Sequence, residues 1–233
     1  MSPRTAALIP AYQAAGSIAA VVSGTRSVLP TVVVVDDGSA DDTAVRAADA
    51  GAEVLRHPEN RGKGAALVTG LRHLAAAGVE RALTLDADGQ HLPAEIPVLL
   101  AAADAAPGAI VVGVRRKERF AIKRAARFGN WIADRLMRGI AGRALPDTQS
   151  GFRVYPVAAT LALGTRGTRY DFETEVLLRA ARAGMAVQGV QVEVYYPPVA
   201  ERVSHYRPWA DTIRIIRSVV RVAFQREVGA ETR

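Results

Sequence analysis

The sequence predicts an α/β domain with a mostly parallel central sheet flanked by helices. Short runs of apolar and β-branched residues, such as residues 31–35 (TVVVV), alternate with longer segments whose apolar residues lie three or four positions apart. The links between these segments are short, which is typical of parallel strands joined by covering helices. The 233 residues show no internal repeat, low-complexity segment or linker, so one large domain is expected.

The first half of the chain alternates regularly between strands and helices. Strands are predicted at residues 5–9, 31–35, 52–55, 81–85 and 109–113. Helices are predicted at residues 14–28, 43–50 and 62–77. We expect Pro10 to close the first strand, because proline cannot donate a hydrogen bond to a sheet, and Asp41 or Asp42 to cap the second helix.

The second half of the chain is less regular. Residues 115–127 hold seven cationic side chains and one acidic side chain. Helices are predicted at residues 120–140, 156–163 and 171–184, and a strand near residues 186–194. The chain is thus expected to form one domain over residues 1–206, followed by an amphipathic helix over residues 207–228.

The composition excludes several kinds of site. The chain has no cysteine, which excludes disulfides, thiolate metal sites and cysteine nucleophiles and suits a reducing cytoplasm. No run of about 18 uninterrupted apolar residues is present, so no segment is expected to span a membrane. The net charge of +7 indicates anionic partners such as nucleotides, phospholipid headgroups or nucleic acid.

Acidic side chains follow two of the predicted strands. Asp36 and Asp37 end one strand, and Asp86 and Asp88 follow another. Ligands bind beyond the carboxyl ends of parallel strands, so these acids are expected at a binding site, although solvated loop residues or helix caps are the alternative. Two carboxylates one residue apart, with the amide oxygen of Gln90 nearby, suit Mg²⁺ or Mn²⁺, ions that commonly also bind substrate phosphates.

Several motifs in a fixed order resemble the family-2 glycosyltransferases of the GT-A fold. They are IPAY, VVVVDDGSADDT, HPENRGKGAAL and LDADGQHLPAEI, and the resemblance covers roughly residues 4–217. The later motifs DTQSGFRVY, YDFETEVLLRA and SHYRPWADTIRI are similar to those of the dolichyl-phosphate or polyprenyl-phosphate sugar synthase branch. The resemblance implies a Rossmann-like domain that binds a nucleotide diphosphate sugar together with Mg²⁺ or Mn²⁺.

The resemblance also implies roles for individual residues. It places the metal ion on Asp86, Asp88 and Gln90, with Asp88 counted among the catalytic residues. The residues implied for the nucleotide sugar are Pro10, Ala11, Tyr12, Asp37, Gly38, Lys63, Asp86 and Ala87. Of these, Asp37 is expected to contact the base or ribose. Lys63 lies between Gly62 and Gly64, two glycines whose backbone N–H groups could approach an anion, although a solvated lysine at a helix start is an alternative.

The nature of the acceptor decides which further residues are needed. A phosphate acceptor is ionised at neutral pH and requires cations rather than a general base; the cations proposed for it are Arg115, Arg127 and Arg153, with Arg115 also catalytic. A hydroxyl acceptor requires a base, for which Glu173 or Glu175 is available. Glu173 is also a candidate for a sugar contact, whereas the pair could equally favour a helix N-terminus.

The C-terminal segment has two interpretations. Its apolar residues are spaced as on one face of a helix, with Arg214, Arg217 and Arg221 along the edge. Such a helix can lie in a membrane interface with its arginines on phosphates, or it can pack on the domain or on a partner subunit.

The leading hypothesis is a metal-dependent inverting transferase at the inner face of the membrane. It would move a hexose from a GDP-mannose or UDP-glucose type of donor to a polyprenyl or dolichyl phosphate. The alternatives are a family-2 enzyme acting on a hydroxyl acceptor, a nucleotidyltransferase and a nucleic-acid-binding module. A nucleotidyltransferase would usually carry a glycine- and arginine-rich loop after the first strand, and the 6% aromatic content gives little support to nucleic-acid binding.

Overall fold

The computed structural model describes residues 4–115, 139, 141, 142, 144–195 and 208–224. Their strands are β1 (Thr5–Ala11), β2 (Val32–Asp36), β3 (Glu53–Arg56), β4 (Arg81–Thr84), β5 (Ile110–Arg115), β6 (Arg153–Pro156) and β7 (Val187–Val192). Their α-helices are α1 (Ile18–Arg26), α2 (Thr43–Asp49), α3 (Lys63–Ala76), α4 (Ile96–Ala105), α5 (Val157–Ala162), α6 (Asp171–Arg182) and α7 (Pro208–Phe224). The predicted helix over residues 120–140 falls almost entirely outside the described residues.

The seven strands form one sheet in the order β3-β2-β1-β4-β6-β5-β7. Strand β6 runs antiparallel to both of its neighbours, β4 and β5, and the other neighbouring strands are parallel. The predicted fold class, a mostly parallel sheet flanked by helices, is therefore confirmed.

Three elements differ from the sequence prediction. Strand β1 continues through Pro10 to Ala11, and Pro10 pairs with Val35 of β2. Proline is tolerated there because β4 accompanies β1 only as far as Leu8, so one side of the strand is already free of a partner. Helix α4 and the short strand β6 were not predicted. Strand β6 has only four residues and leads directly into α5, and so it offers little periodicity.

Two apolar clusters cover the two faces of the sheet. Successive residues of β1 alternate between them: Ile9 belongs to the cluster under α1 and α4, and Leu8 to the cluster under α3 and α6. This alternation follows from the two-residue period of a strand. Because both faces of the sheet are covered there, the strand β2 is apolar and buried on both sides.

Helix α7 packs against α6 rather than standing apart from the domain. Val219 and Val222 of α7 are buried with Leu178 of α6. Arg182 of α6 donates hydrogen bonds to the carbonyl oxygens of Val222 and Ala223. Among the described helices, none has both the length and the apolar character needed to cross a bilayer.

Helix α3 approaches strand β1 closely at Gly70. A Cβ atom at Gly70 would lie within 2.1 Å of a terminal methyl carbon of Leu8, which is fully buried. We expect Gly70→Ala to lower the free energy of unfolding by about 1–3 kcal/mol, because a packed core accommodates an added methyl group poorly. This cost outweighs the gain of about 1 kcal/mol in helix propensity.

Urea unfolding of Gly70→Ala, compared with Gly16→Ala, measures this effect. A Cβ atom at Gly16 would meet no atom within 4 Å, so that variant is expected to match the wild type. Equal unfolding midpoints for the two variants would show that α3 can move away from β1 without cost.

Candidate active site

The carboxyl ends of β1, β2 and β4 meet at one edge of the sheet, where the predicted site residues come together. Asp36 ends β2 beside Ala11 of β1. The segment that holds Asp86 and Asp88 follows β4 and is joined to the start of α1, because Ser17 Oγ donates a hydrogen bond to the Ala87 carbonyl oxygen at 2.6 Å. At this edge Asp86 contacts Lys63, the first residue of α3.

Lys63 links two carboxylates across this edge. Its Nζ atom lies 2.6 Å from Asp86 Oδ1 and 2.9 Å from Glu173 Oε1. The three side chains are 16%, 29% and 5% exposed, respectively. Lys63 also lies 5.7 Å from the ring centroid of Tyr170, which adds a cation–π contact. The segment after β4, helix α3 and helix α6 each contribute one charged side chain to this cluster, namely Asp86, Lys63 and Glu173.

Glycines allow the backbone to close around the cluster. A Cβ atom at Gly151 would lie 2.7 Å from Asp86 Oδ1 and 2.9 Å from Lys63 Nζ. Gly62, which precedes α3, has a φ of +99°, and a Cβ atom there would lie 2.4 Å from the Thr168 carbonyl oxygen. Gly62 therefore requires glycine, whereas a side chain at Gly151 would displace the ends of the Asp86 and Lys63 side chains. The predicted approach of the glycine N–H groups to an anionic ligand stays a prediction.

The ionisation of these groups follows from burial and from their neighbours. Burial alone would raise the pKa of Asp86, but the Lys63 ammonium, with a smaller contribution from His91, holds that pKa well below its usual range. Burial would lower the pKa of Lys63, but Asp86 and Glu173 raise it above its usual value. Burial, and next the charge of Asp86, raise the pKa of Asp88.

The raised pKa of Asp88 bears on metal binding. Burial is the first cause of this rise and the charge of Asp86 the second, and a divalent cation on the two carboxylates would favour the ionised form of Asp88 against both. The two carboxylates are hard oxygen ligands and so fit Mg²⁺ or Mn²⁺. No group of three His, Cys, Asp or Glu side chains in the described part of the chain is placed to hold a metal. Further oxygen ligands would therefore have to come from Gln90, whose role stays a prediction, from water or from a substrate.

The carboxylate of Asp37 is hydrogen-bonded within the protein. It is 2% exposed, and its carboxylate accepts hydrogen bonds from the backbone N–H groups of Arg61, at 2.9 Å, and Gly62, at 2.7 Å. His57 Nδ1 lies 2.7 Å from the same carboxylate. The carboxylate thus fixes the turn that leads into Lys63, and the expected contact of Asp37 with a base or ribose stays a prediction.

An open pocket of about 370 Å³ lies beside this turn. It is lined by Gly38, Ser39, Arg56, His57 and Pro58. Gly38 was predicted to bind the nucleotide sugar, whereas Arg56 and His57 were not. Their positions became apparent only when β3 was placed next to β2. The roles proposed for Pro10, Ala11, Tyr12 and Ala87 stay predictions.

His91 is a further side chain whose place at the site was missed. It is 6% exposed, its ring stacks on Phe152 with 4.9 Å between centroids, and its Nε2 lies 3.5 Å from Asp86 Oδ2. Only the folded contact with Asp86 reveals its position.

The two glutamates of α6 occupy different environments. Glu173 contacts Lys63. Glu175 is fully buried and accepts hydrogen bonds from the Gly167 N–H at 2.7 Å, from Arg179 Nε at 2.6 Å and from Ser218 Oγ of α7 at 3.2 Å. Only Glu173 is therefore available to the site, while Glu175 fastens α7 and the loop before α6 to α6 itself.

Comparisons with known proteins agree with this arrangement. Residues 6–161 match the sequence profile "Glycosyl transferase family 2". The chain belongs to glycosyl transferase family 2. This membership confirms the resemblance that the sequence motifs suggested.

The relatives of this family-2 chain include enzymes with lipid acceptors in their names. The undecaprenyl-phosphate mannosyltransferase of Micrococcus luteus is 29% identical over 208 residues, which are 81% of this chain and 82% of that protein. The UDP-N-acetylglucosamine–dolichyl-phosphate N-acetylglucosaminyltransferase of Methanococcus voltae is 27% identical over 212 residues, 81% of this chain and 84% of that protein.

A solved structure shares the fold. The glucosyl-3-phosphoglycerate synthase of Mycobacterium tuberculosis, in complex with Mn²⁺, UDP and phosphoglyceric acid, superposes with a TM-score of 0.75 and 21% identity. The match covers 98% of this chain and 81% of that one. It shows that this family-2 domain has the GT-A architecture.

Of the three arginines predicted to bind an acceptor phosphate, Arg115 and Arg153 lie in the described part of the chain. Arg115, at the end of β5, forms a two-pronged ion pair with Asp147, with Nε 2.6 Å from Oδ2 and Nη2 2.9 Å from Oδ1. Burial would raise the pKa of Asp147, but Arg115 lowers it below its usual value. The roles proposed for Arg115 stay predictions, and Arg127 lies outside the described residues.

Arg153 is a correction to the predicted acceptor site. It is fully buried, and its guanidinium donates hydrogen bonds to the carbonyl oxygens of Ser150 at 2.7 Å, Thr148 at 2.9 Å and Glu173 at 2.7 Å. A fourth bond goes to the Tyr155 hydroxyl at 3.0 Å. Because its donors face these internal acceptors, Arg153 holds the 148–150 turn against α6 and does not face a ligand.

We expect Arg153→Met to act on stability. The substitution leaves several buried carbonyl oxygens without a donor, so it should lower the free energy of unfolding by roughly 3–5 kcal/mol. Urea unfolding measures the change, with Arg72→Met, an exposed position on α3, as the control. An Arg153→Met protein with wild-type stability but weakened binding of a prenyl phosphate would instead return Arg153 to the acceptor site.

Proposed function

We propose that this family-2 enzyme is a metal-dependent inverting transferase that moves a hexose from a nucleotide diphosphate sugar to a polyprenyl phosphate. The observation that carries the proposal is the placement of Asp86 and Asp88 just beyond the carboxyl end of β4, where two hard carboxylate ligands lie one residue apart and Lys63 contacts Asp86. Two carboxylates would fill only part of the coordination shell of a metal ion, so oxygens of a donor diphosphate could occupy other positions.

The residues around these carboxylates have complementary tasks. A bound Mg²⁺ or Mn²⁺ would neutralise charge on the departing diphosphate. Lys63 offers an ammonium group to phosphate oxygens from the start of α3. Glu173, next to Lys63, is the carboxylate available to hydroxyl groups of the sugar. The pocket lined by Arg56 and His57 lies beside the same turn and suits the nucleoside part of the donor.

Two lines of support favour a lipid phosphate as the acceptor. Relatives that align with about four-fifths of this chain are named as transferases to undecaprenyl phosphate and dolichyl phosphate. In addition, a phosphate oxygen is anionic at neutral pH and attacks without a general base, so cations such as Arg115 and Arg127 suffice to place it. Attack from the side opposite the departing nucleotide inverts the anomeric carbon.

A hydroxyl acceptor is the second candidate. It is favoured by Glu173, a mostly buried carboxylate within the site that could take a proton from a hydroxyl group. Parallel transfer assays with a polyprenyl phosphate and with the corresponding free polyprenol distinguish the two. Transfer to the phosphate alone, retained at a reduced rate in Glu173→Gln, supports the first candidate, whereas transfer to a hydroxyl that Glu173→Gln abolishes supports the second.

We expect Asp88→Asn to remove the metal-dependent part of donor affinity. The substitution keeps the size of the side chain but deletes one of the two carboxylates, so Mn²⁺ should no longer improve binding of the nucleoside diphosphate. Transfer should fall by at least about 100-fold, because the charge on the leaving group is no longer neutralised. Calorimetry of GDP and UDP, with and without Mn²⁺, and a transfer assay measure the two effects.

Asp42→Asn is the matched control for that experiment. Asp42 is exposed and forms a surface ion pair with Arg46, which contributes little to stability. This variant should behave as the wild type in both assays. Normal Mn²⁺-dependent binding and turnover by Asp88→Asn would remove Asp88 from the metal site.

We further propose that α7 contacts an anionic membrane surface. Its outward side carries Ile213, Ile216, Val220 and Phe224, which are 48%, 54%, 48% and 84% exposed. These residues are spaced three or four positions apart and so form one stripe. Arg214 and Arg217 are exposed beside it. An apolar stripe flanked by arginines matches the apolar and phosphate layers of a lipid interface.

We expect the protein to sediment with vesicles that contain anionic phospholipid, and to do so less at high salt. The double variant Ile216→Asp/Phe224→Asp should weaken vesicle binding by at least about 100-fold, because two apolar side chains no longer enter the interface. Its affinity for nucleoside diphosphate should not change. Val45→Asp, which alters an exposed apolar residue on α2, is the control and should still sediment.

Two results would count against the membrane contact. One is wild-type protein that stays in solution with every vesicle composition. The other is a wild-type dimer that the double variant converts to monomers, measured by light scattering, while neither protein binds vesicles; the stripe would then be an interface between two copies of the chain.

A further inference from the structure

The Lys63 ammonium lies on the same carboxylate that a metal ion would use. Its Nζ is 2.6 Å from Asp86 Oδ1, closer than it is to Glu173. We propose that Lys63 restricts access of the metal to Asp86 until the donor diphosphate draws Lys63 away, so that metal and donor bind as a pair. This inference rests on the proposed function, because it takes Asp86 as a metal ligand.

Distances make the two cations competitors. A Mg²⁺ or Mn²⁺ ion binds a carboxylate oxygen at about 2.1 Å, which would place it roughly 4 Å from an ammonium on the same oxygen. The carboxylates of Asp86, Asp88 and Glu173 balance these charges overall, but the ammonium and the metal repel each other strongly at this short separation. A metal on Asp86 Oδ1 is therefore opposed by Lys63 unless Lys63 moves or additional negative charge arrives.

The structure limits where Lys63 can go without a ligand. Its side chain starts at the first residue of α3, which the Gly62 turn and Asp37 hold in place. The Gly151 backbone and the Tyr170 ring flank the ammonium. Glu173 remains its second partner at 2.9 Å. The oxygens of a diphosphate would give Lys63 a new anionic partner and would also complete the metal's ligands.

The proposal predicts effects of opposite sign on two affinities. Lys63→Met removes the competing charge, so Mn²⁺ alone should bind at least about tenfold more tightly than to wild type. The same substitution removes a phosphate ligand, so GDP or UDP should bind at least about tenfold more weakly at saturating Mn²⁺. A lysine that only supports the fold would not change the two affinities in opposite directions.

The experiment titrates Mn²⁺ into nucleotide-free protein and follows free Mn²⁺ by electron paramagnetic resonance. Calorimetry with GDP and with UDP at saturating Mn²⁺ gives the second affinity. Arg61→Met is the matched control: it removes one positive charge two residues away, from an exposed side chain of the same turn, and should change neither affinity by more than about twofold.

A second substitution covers the case in which Lys63→Met does not fold. Lys63→Gln keeps a hydrogen-bond donor for Asp86 and Glu173 without the charge, and it should also bind Mn²⁺ more tightly than wild type. Thermal unfolding provides an independent measure, because Mn²⁺ without nucleotide should raise the melting temperature of either variant more than that of the wild type.

The outcomes separate the inference from the proposed function. Wild type that binds the nucleoside diphosphate with Mn²⁺, together with Lys63 variants that bind Mn²⁺ no more tightly than wild type, overturns the inference alone. Wild type that binds neither GDP nor UDP, with or without Mn²⁺, overturns both.

Discussion

The ion pairs of Lys63 with Asp86 and Glu173 connect strand β4 to helices α3 and α6, and the local backbone is shaped around them. Buried charges are tolerated only when they are paired. Around this pairing, Gly151 leaves space for the Asp86 carboxylate that a Cβ atom would fill, and the Gly62 turn lies against the Thr168 carbonyl. Asp37 then fixes that turn by accepting two of its N–H groups. Two of the acids at this sheet edge thus have separate tasks, since Asp86 faces the ligand region and Asp37 holds the lysine's helix start in place.

The same rule of pairing links the site to the C-terminal helix. Glu175 lies two residues after Glu173 and is fully buried, with partners on α6, on α7 and in the loop at Gly167. The next residue of that loop, Thr168, accepts a hydrogen bond from the Ala65 N–H at 2.9 Å in the first turn of α3. A continuous chain of contacts therefore runs from α7 through Glu175 to the turn that carries Lys63. Glu175 therefore contributes both to the position of α7 on the domain and to the geometry of the loop beside the site.

Much of this structure was predictable because its signals are local. The strands that end in acids, the glycine turn before Lys63 and the helix that begins near Glu173 are each visible within about a dozen residues, and parallel strands bring their carboxyl ends to one edge. The hydrogen-bond partners of each side chain were not predictable, because many of them are distant from it in sequence. Arginine is a typical phosphate ligand, but the guanidinium of Arg153 donates hydrogen bonds to the carbonyl oxygens of Thr148, Ser150 and Glu173. The partners of Asp37 were not predictable for the same reason, since they come from the loop after β3.

Helix α7 shows why an amphipathic pattern did not decide between packing and membrane contact. The sequence spacing identified one apolar face. One interpretation placed that face in a membrane interface, and the other placed it against the domain or a partner subunit. The helix in fact has two apolar sides: Val219 and Val222 pack on α6, while Ile216, Val220 and Phe224 face outward. Ser218 and Arg221 lie toward Glu175, so Arg221 differs from the exposed Arg214 and Arg217. Packing on the domain and contact with a lipid surface are thus compatible, because successive residues of one helix point in different directions and the inward side orients the outward side.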